Sequence, residues 1–351
     1  MELALYCPVH GYYETKTDNP GRHGDFYTSV GVGELFGQLL AFQFAEWLEL
    51  LRNAGSRLRI VEAGAHDGKL AGDILAWLEL NRRELFEQIE YGIIEPSAQR
   101  QTWQQRTLKK YLPQVRWHEG FQSIASAGLK SGIENPTSSG IIFSNELLDA
   151  MPVHRFGWDA TKKAWYEWGV KLDGEKFVWA KIQNPEARVR NPELDLPEEL
   201  LNVLPDGYVV ETSPAAQRWW REAADGLKCG RLMTIDYGLA ADELYSPGRL
   251  QGTLRAYFRH HVSDDLLANV GKQDLTAHVN FSAIQAVGES AGLKTESFQT
   301  QSQFLTQVLG KASKDASFGE WTSTRTRQFQ TLTHPEHLGR AFRVLVQSRL
   351  D

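Results

Sequence analysis

The sequence predicts an α/β protein of the doubly wound type, with a mostly parallel sheet and an inserted β-rich segment, and three observations carry that expectation. From residue 58 onward, short apolar runs that read as strands alternate with stretches of helical period. The first run ends on an acid and enters a turn with two glycines, Glu62-Ala-Gly64-Ala-His-Asp-Gly68, and the fourth leads into Ser144-Asn-Glu-Leu-Leu-Asp149. Such alternation gives parallel strands joined by right-handed crossovers, with ligands bound beyond the carboxyl ends of the strands. The site is therefore expected just after Glu62, Glu95, His118 and Ser144.

Residues 5–29 are rich in Gly, Tyr, Asp and Thr and read as irregular structure. Leu35, Phe36, Leu39, Leu40, Phe44, Trp47, Leu48 and Leu51 then recur at helical spacing, which predicts a long, deeply packed helix. Strand 58–62, helix 69–80, strand 91–95, helix 97–111, strand 115–118 and strand 140–144 follow. Residues 164–172 and 176–182 read as hairpin arms about Asp173-Gly174, a favoured tight-turn pair. The core resumes with a strand at 207–211, a helix at 213–227 and an apolar strand at 231–236. A helix at 281–292 and strands at 294–298 and 341–347 close the sheet. The expected division is an N-terminal segment 1–57 packed on the core, a core of 58–155 and 207–351, and a β-rich insertion at 156–206.

At 351 residues, 42% apolar and 23% charged, the chain suits one elaborated α/β unit. No run of about 18 uncharged apolar residues is present to span a bilayer, so no membrane insertion is expected. A net charge of −6 argues against a surface that neutralises many phosphates, which excludes nucleic acid as the expected partner. Cys7 and Cys229 offer neither a metal cluster nor a disulfide framework, and no charged-then-apolar leader opens the chain. These features lead us to expect the cytoplasm. His154, His260, His261 and His278 match no metal-ligand spacing, so no metal is expected.

The turn after the first strand is the first chemical signal. Glycines there let the backbone approach a ligand and adopt conformations closed to residues with a β-carbon. An acid with Gly64 and Gly68 suits a sulfonium cofactor whose amino group and ribose need acceptors. A dinucleotide site would prefer a third glycine where Lys69 stands. Glu95, ending the second strand, is placed for a ribose hydroxyl. Asn145, Glu146 and Asp149 put an amide and two carboxylates at the mouth of the site. A carboxylate there can grip a guanidinium through two parallel hydrogen bonds, and a helix N-cap is the plain structural alternative. The aromatic-rich stretches Trp165-Tyr-Glu-Trp168 and Trp219-Trp220 suit either packing or a protein contact, including a homodimer.

In this order, the segments resemble the MidA-type methyltransferase family, whose mitochondrial members are complex I assembly factors. The resemblance rests on Gly11-Tyr-Tyr13, Gly24-Asp-Phe-Tyr-Thr-Ser29, Leu35-Phe-Gly37, Glu95-Pro-Ser97, Asn145-Glu-Leu-Leu-Asp149, Asp236-Tyr-Gly238, Gly252-Thr-Leu-Arg-Ala-Tyr257 and Asp274-Leu-Thr-Ala-His-Val279. It implies a class I methyltransferase fold, S-adenosyl-L-methionine as cofactor, and methylation of an arginine in a protein partner, a respiratory complex I subunit for the mitochondrial members. It carries the cofactor site onto Glu62, Gly64, His66, Gly68, Glu95, Pro96, Ser97, Gly120, Phe121, Phe26 and Thr28. Glu146, with Asn145 and Asp149, becomes the catalytic group that holds the guanidinium. The family usually reads Gly-Pro-Gly-Arg-Gly where this chain has Gly64-Ala-His-Asp-Gly68, and Asn280 stands where the family often has Asp. A cofactor-binding assembly chaperone without turnover, a small-molecule methyltransferase and, more distantly, a nicotinamide-dependent oxidoreductase remain the alternatives.

Overall fold

We describe the protein from a computed structural model, over residues 1–15, 28–51, 58–124, 138–182, 194, 196–258, 261–263 and 265–350. The apolar runs of the first half form β1 (Leu58–Ala63), β2 (Glu90–Ile94), β3 (Val115–His118) and β4 (Ser138–Asn145). β1 lies between β2 and β4, and all these pairings are parallel. The helix Lys69–Asn81 crosses from β1 toward β2, and Ala98–Thr107 follows β2. The single helix expected over 97–111 ends at Thr107, and a 3-10 turn, Lys109–Tyr111, completes the span as Leu108 turns fully into the core.

The inserted segment builds a second sheet from β5 (His154–Asp159), β6 (Ala164–Asp173), β7 (Lys176–Lys181) and β8 (Val209–Thr212), in the order β7-β6-β5-β8. The expected hairpin is present and turns through Gly174 at φ 59°. The strand expected at 207–211 to resume the core instead pairs antiparallel with β5, Phe156 opposite Val210. Packing explains the difference: Tyr208 and Val210 are buried with Phe156 and Trp158 in the insertion's own apolar cluster.

The central sheet resumes at β9 (Leu227–Leu239), which pairs parallel with β4. A small sheet of β10 (Arg255–Phe258), β11 (His261–Ser263) and β12 (Asp274–Thr276) follows, which the sequence pattern does not predict. β13 (Val279–Asn280) attaches to β9, and β14 (Lys294–Thr300) and β15 (Phe342–Arg349) finish the central sheet. Its order is β14-β15-β9-β4-β1-β2-β3, with β15 antiparallel to both neighbours. The chain moves outward from β1 through β2 and β3, then returns to the other side of β1 with β4. That reversal opens a crevice at the strand ends.

Alternation along the strands explains why both faces are covered. Ile60, Ile141, Phe143, Met233, Ile235, Val344 and Val346 face one apolar cluster, and Val61, Ile142, Leu232 and Leu345 face the other. The helix Leu35–Leu51 joins the first cluster with Leu35, Phe36, Leu39, Leu40, Phe44 and Leu48 fully buried. Each such side chain contributes roughly 1.5–3 kcal/mol by leaving water. Trp220, on the helix Pro214–Gly226, is fully buried in the second cluster, where its Nε1 donates to Gln347 Oε1 at 2.8 Å.

The N-terminal stretch expected to be irregular contains short helices, Glu2–Tyr6, Tyr12–Thr15 and Ser29–Val32. Tertiary contacts hold them: Tyr6 donates to the Ala150 carbonyl at 3.0 Å, and Leu5 and Tyr12 are fully buried. Two further helices, Gln301–Ala312 and Ser323–Thr333, occupy a stretch for which the sequence pattern assigns no element. Among the described residues no helix is long and apolar enough to cross a membrane.

Candidate active site

A cavity of about 2230 Å³ opens past the carboxyl ends of β1, β2, β3 and β4. Its walls also include the N-terminal helices, the start of the helix Pro214–Gly226 and the small third sheet. Residues from both ends of the chain therefore meet over one crevice.

One end is built on the turn after β1. Gly64 and Gly68 adopt φ 76° and 85°, and a β-carbon at Gly64 would stand 3.0 Å from Leu147 Cδ1. At Gly68 it would approach Leu108 Cδ1 to 3.2 Å. Both positions favour glycine by backbone conformation and by space. His66, between them, is also left-handed at φ 46°, which costs a residue with a β-carbon on the order of 1–2 kcal/mol. Its carbonyl accepts from Gln104 Nε2 at 3.0 Å, which holds the turn in place. Asp67 Oδ1 accepts from the Lys69 amide at 3.0 Å, covering a helix start whose N-cap, Gly68, has no side chain to offer.

Two buried acids close this end. Glu62 accepts from the Tyr91 hydroxyl at 2.6 Å, and burial pushes its carboxyl up to about 7 against the opposing effect of that bond. Glu95 accepts from the Ser97 amide at 2.9 Å and Gln104 Nε2 at 3.1 Å, and pairs with Arg100 at 3.0 Å. Burial raises Glu95 as well, with Arg100 pulling it back. Ser97 and Arg100 also contact Glu14, tying the N-terminal helices to the β2 end. Gly120 leaves open space where a side chain would project, and Phe121 meets Trp219 edge to face at 5.5 Å. Together these residues offer carboxylate acceptors, an uncrowded backbone and an aromatic wall, which fits a nucleoside bearing an amino acid.

The other end is built on the loop after β4. Asp236, ending the buried run of β9, accepts from the Leu147, Leu148 and Tyr237 amides at 3.1, 2.8 and 2.8 Å. This clamp fixes the loop and with it Glu146, whose φ of 52° is left-handed. Glu146 Oε1 accepts from the Ser29 amide at 3.2 Å and from Asn145 Nδ2 at 3.1 Å. Its Oε2 is shut off from solvent and has no hydrogen-bond partner among the described residues, and the same holds for Asn145 Oδ1. Burial, then repulsion from Asp236 and Asp274, lifts the Glu146 carboxyl to about 8 despite the Asn145 bond. Asp149 is raised well above the usual carboxylate range, by burial and then by Asp236, with which it shares a hydrogen bond.

Of the residues expected at the site, Glu62, Gly64, His66, Glu95, Pro96, Ser97, Gly120, Phe121, Thr28, Asn145, Glu146 and Asp149 line the cavity. Gly68 forms the turn beneath it, and Thr28 accepts from the Gly31 amide at 3.0 Å while bordering it. Phe26 and His260 lie outside the described residues. His154 pairs with Glu167 at 2.6 Å, and burial lowers His278 to about 4. No group of metal-ligating side chains occurs among the described residues. Sequence reasoning misses Gln104, Tyr13, Asp274 and the clamp formed by Asp236. The motifs Asp236-Tyr-Gly and Asp274-Leu-Thr are visible, but nothing in them shows which amides or hydroxyls the carboxylates meet.

Residues 39–299 match the family model described as "Putative S-adenosyl-L-methionine-dependent methyltransferase". The chain is 29% identical over 307 residues to the human "Protein arginine methyltransferase NDUFAF7, mitochondrial", covering 82% of this chain and 64% of that one. The Drosophila melanogaster homologue of that protein is 26% identical over an alignment of 371 positions, gaps included, which covers 98% of this chain and 79% of the relative. The chain thus spans just under two thirds of the length of the human relative. A crystal structure of a Burkholderia thailandensis protein bound to S-adenosyl-homocysteine superposes with a TM-score of 0.81 at 31% identity, over 99% of this chain and 86% of that one. The cytoplasmic placement expected from cysteine usage is overturned by these curated relatives, which are mitochondrial proteins. Free thiols report the redox chemistry of a compartment, not which compartment it is.

Proposed function

We propose that this chain, which belongs to the S-adenosyl-L-methionine-dependent methyltransferase family and uses that cofactor, transfers the methyl group to an arginine side chain of a protein partner. The names of the relatives support an arginine acceptor, and the family resemblance makes a subunit of respiratory complex I the partner to test first. The observation that carries the reading is Glu146: a half-buried residue in a strained backbone conformation whose Oε2 is shut off from solvent and has no hydrogen-bond partner among the described residues.

The cofactor supplies a methyl group already activated by its sulfonium. Glu62, Glu95 and the Gly64–Gly68 turn hold it, with Pro96, Ser97, Gly120, Phe121, His66 and Thr28 bordering the same space. Glu146 takes two N–H groups of the guanidinium, which aligns the attacking nitrogen; alignment is where most of the acceleration lies when the leaving group is already activated. An arriving cation favours the ionised form of Glu146, so the acceptor draws out the charge that burial suppresses. As the new N–C bond forms, the nitrogen loses a proton, and Glu146 Oε2 accepts it. That nitrogen carries the extra positive charge of the transferred methyl group and so yields a proton readily, and burial favours the neutral carboxyl that results. Asn145 and the Ser29 amide keep Oε1 fixed while Oε2 works.

The test is incubation with methyl-labelled S-adenosylmethionine and protein extract from cells lacking this chain, followed by acid hydrolysis. Label in methylarginine, lost with Glu146→Gln, is the expected result. Label confined to small molecules would assign a small-molecule methyltransferase. Cofactor binding without any transfer would leave the assembly-chaperone reading.

A further inference from the structure

The acceptor end of the cavity is provided with more than one carboxylate. Among the described residues nothing hydrogen-bonds to the buried Glu146 Oε2 and Asn145 Oδ1, and Asn145 is 8% exposed. Buried acceptors in this state imply a donor-rich ligand that completes them. A guanidinium has five N–H donors and no acceptor, and one carboxylate takes two of them. The remaining donors need oxygens from another part of the wall.

Asp274, at the start of β12, lines the same cavity and is fully buried. It borders the same space as Glu146 and Asp149, and its negative charge adds to what raises both of their carboxyls. Its Oδ1 is fixed by the Tyr13 hydroxyl at 2.8 Å and by the Leu275 amide at 2.9 Å, which sets the carboxylate plane. Asp149, nearer in sequence to Glu146, is engaged with Asp236 in the clamp that shapes the loop. We propose that Asp274, oriented by Tyr13, is the second carboxylate of the acceptor site and shares the guanidinium N–H groups with Glu146. This rests on the arginine reading above. Tyr13 is a positioning residue, and through it the N-terminal helices complete the acceptor pocket.

The test uses the full chain saturated with S-adenosylhomocysteine, titrated calorimetrically with Nα-acetyl-arginine amide and with its neutral analogue, Nα-acetyl-citrulline amide. Wild type should bind the first and not the second; equal binding of both, or of neither, overturns the arginine reading and this inference with it. Given arginine binding by wild type, Asp274→Asn should weaken the arginine probe on the order of 30-fold, the effect of losing one charge-assisted hydrogen-bonding partner, with S-adenosylhomocysteine affinity within about twofold. Arginine affinity unchanged in Asp274→Asn overturns the inference while leaving the arginine reading in place. If Asp274→Asn loses the cofactor as well and so fails to fold, Tyr13→Phe decides. It keeps the ring and the carboxylate, and should weaken the arginine probe severalfold with cofactor affinity intact. No change in Tyr13→Phe also counts against the inference.

Discussion

Replacing Glu146 with Gln should stabilise the protein in alkaline solution while abolishing its chemistry, and the size of the effect follows from burial. The carboxyl titrates at about 8 in the native state against an ordinary value of 4.5. Between these values the unfolded chain has released the proton and the native chain has not, so stability falls as pH rises and levels off once the native carboxyl ionises. From about pH 5.5 to about pH 9 the loss spans about 2.5 units, or about 3 kcal/mol at about 1.4 kcal/mol per unit. In the Glu146→Gln variant the amide side chain retains an oxygen for Ser29 and Asn145 and never ionises. Urea unfolding should therefore show the two proteins within about 1 kcal/mol at the acidic pH and the variant ahead by about 3 kcal/mol at the alkaline one. Glu62 and Asp236, also raised by burial, are present in both proteins, and their contributions largely cancel in the difference. A difference that is the same at both pH values would refute the claim that Glu146 is held in a desolvated site.

Other substitutions probe the remaining parts of the cavity. Gly64→Ala places a β-carbon at φ 76° and 3.0 Å from Leu147 Cδ1; S-adenosylhomocysteine should bind on the order of tenfold or more weakly by calorimetry, and unchanged affinity would remove the turn from the cofactor site. Asp236→Asn loses acceptors for the loop amides. Thermal or urea unfolding should reveal a cost of about 2–4 kcal/mol, and kcat should fall while cofactor affinity holds; an unchanged kcat would make the clamp structural only. Glu95→Gln should weaken cofactor binding about tenfold, whereas loss of stability alone would restrict Glu95 to anchoring Arg100 and the N-terminal helices.

The parts of this molecule legible in the sequence are those set by local pattern. β1 to β4, the buried helix Leu35–Leu51 and the 164–181 hairpin follow from apolar period and turn chemistry, as does the location of the cavity beyond the strand ends. The curated relatives and the family model agree with the resemblance drawn from motif order. What stays hidden depends on partners distant in sequence. Val209–Thr212 reads like any core strand, and only its antiparallel pairing with β5 assigns it to the insertion. The N-terminal residues have the composition of a loop, yet Tyr6, Tyr13 and Glu14 are held as helices by Ala150, Asp274, Ser97 and Arg100. The helices at 301–312 and 323–333 carry mixed polar sequences whose apolar stripe is narrow, and their packing against the Leu35–Leu51 helix decides them. Asp149 is legible in the sequence as a second carboxylate near Glu146, but the influence of Asp236 on it shows only in the fold.

The proposed mechanism centres on one cavity, in which the cofactor would be presented at the β1–β2 end to an acceptor gripped by Glu146. A crystal structure of the chain with S-adenosylhomocysteine tests it most directly. The amino acid moiety is expected at the Gly64–Gly68 turn, the ribose at Glu95 and the sulfur turned toward the Glu146 carboxylate. A cofactor seated in that turn with its sulfur directed away from Glu146, or bound elsewhere in the cavity, would contradict the mechanism.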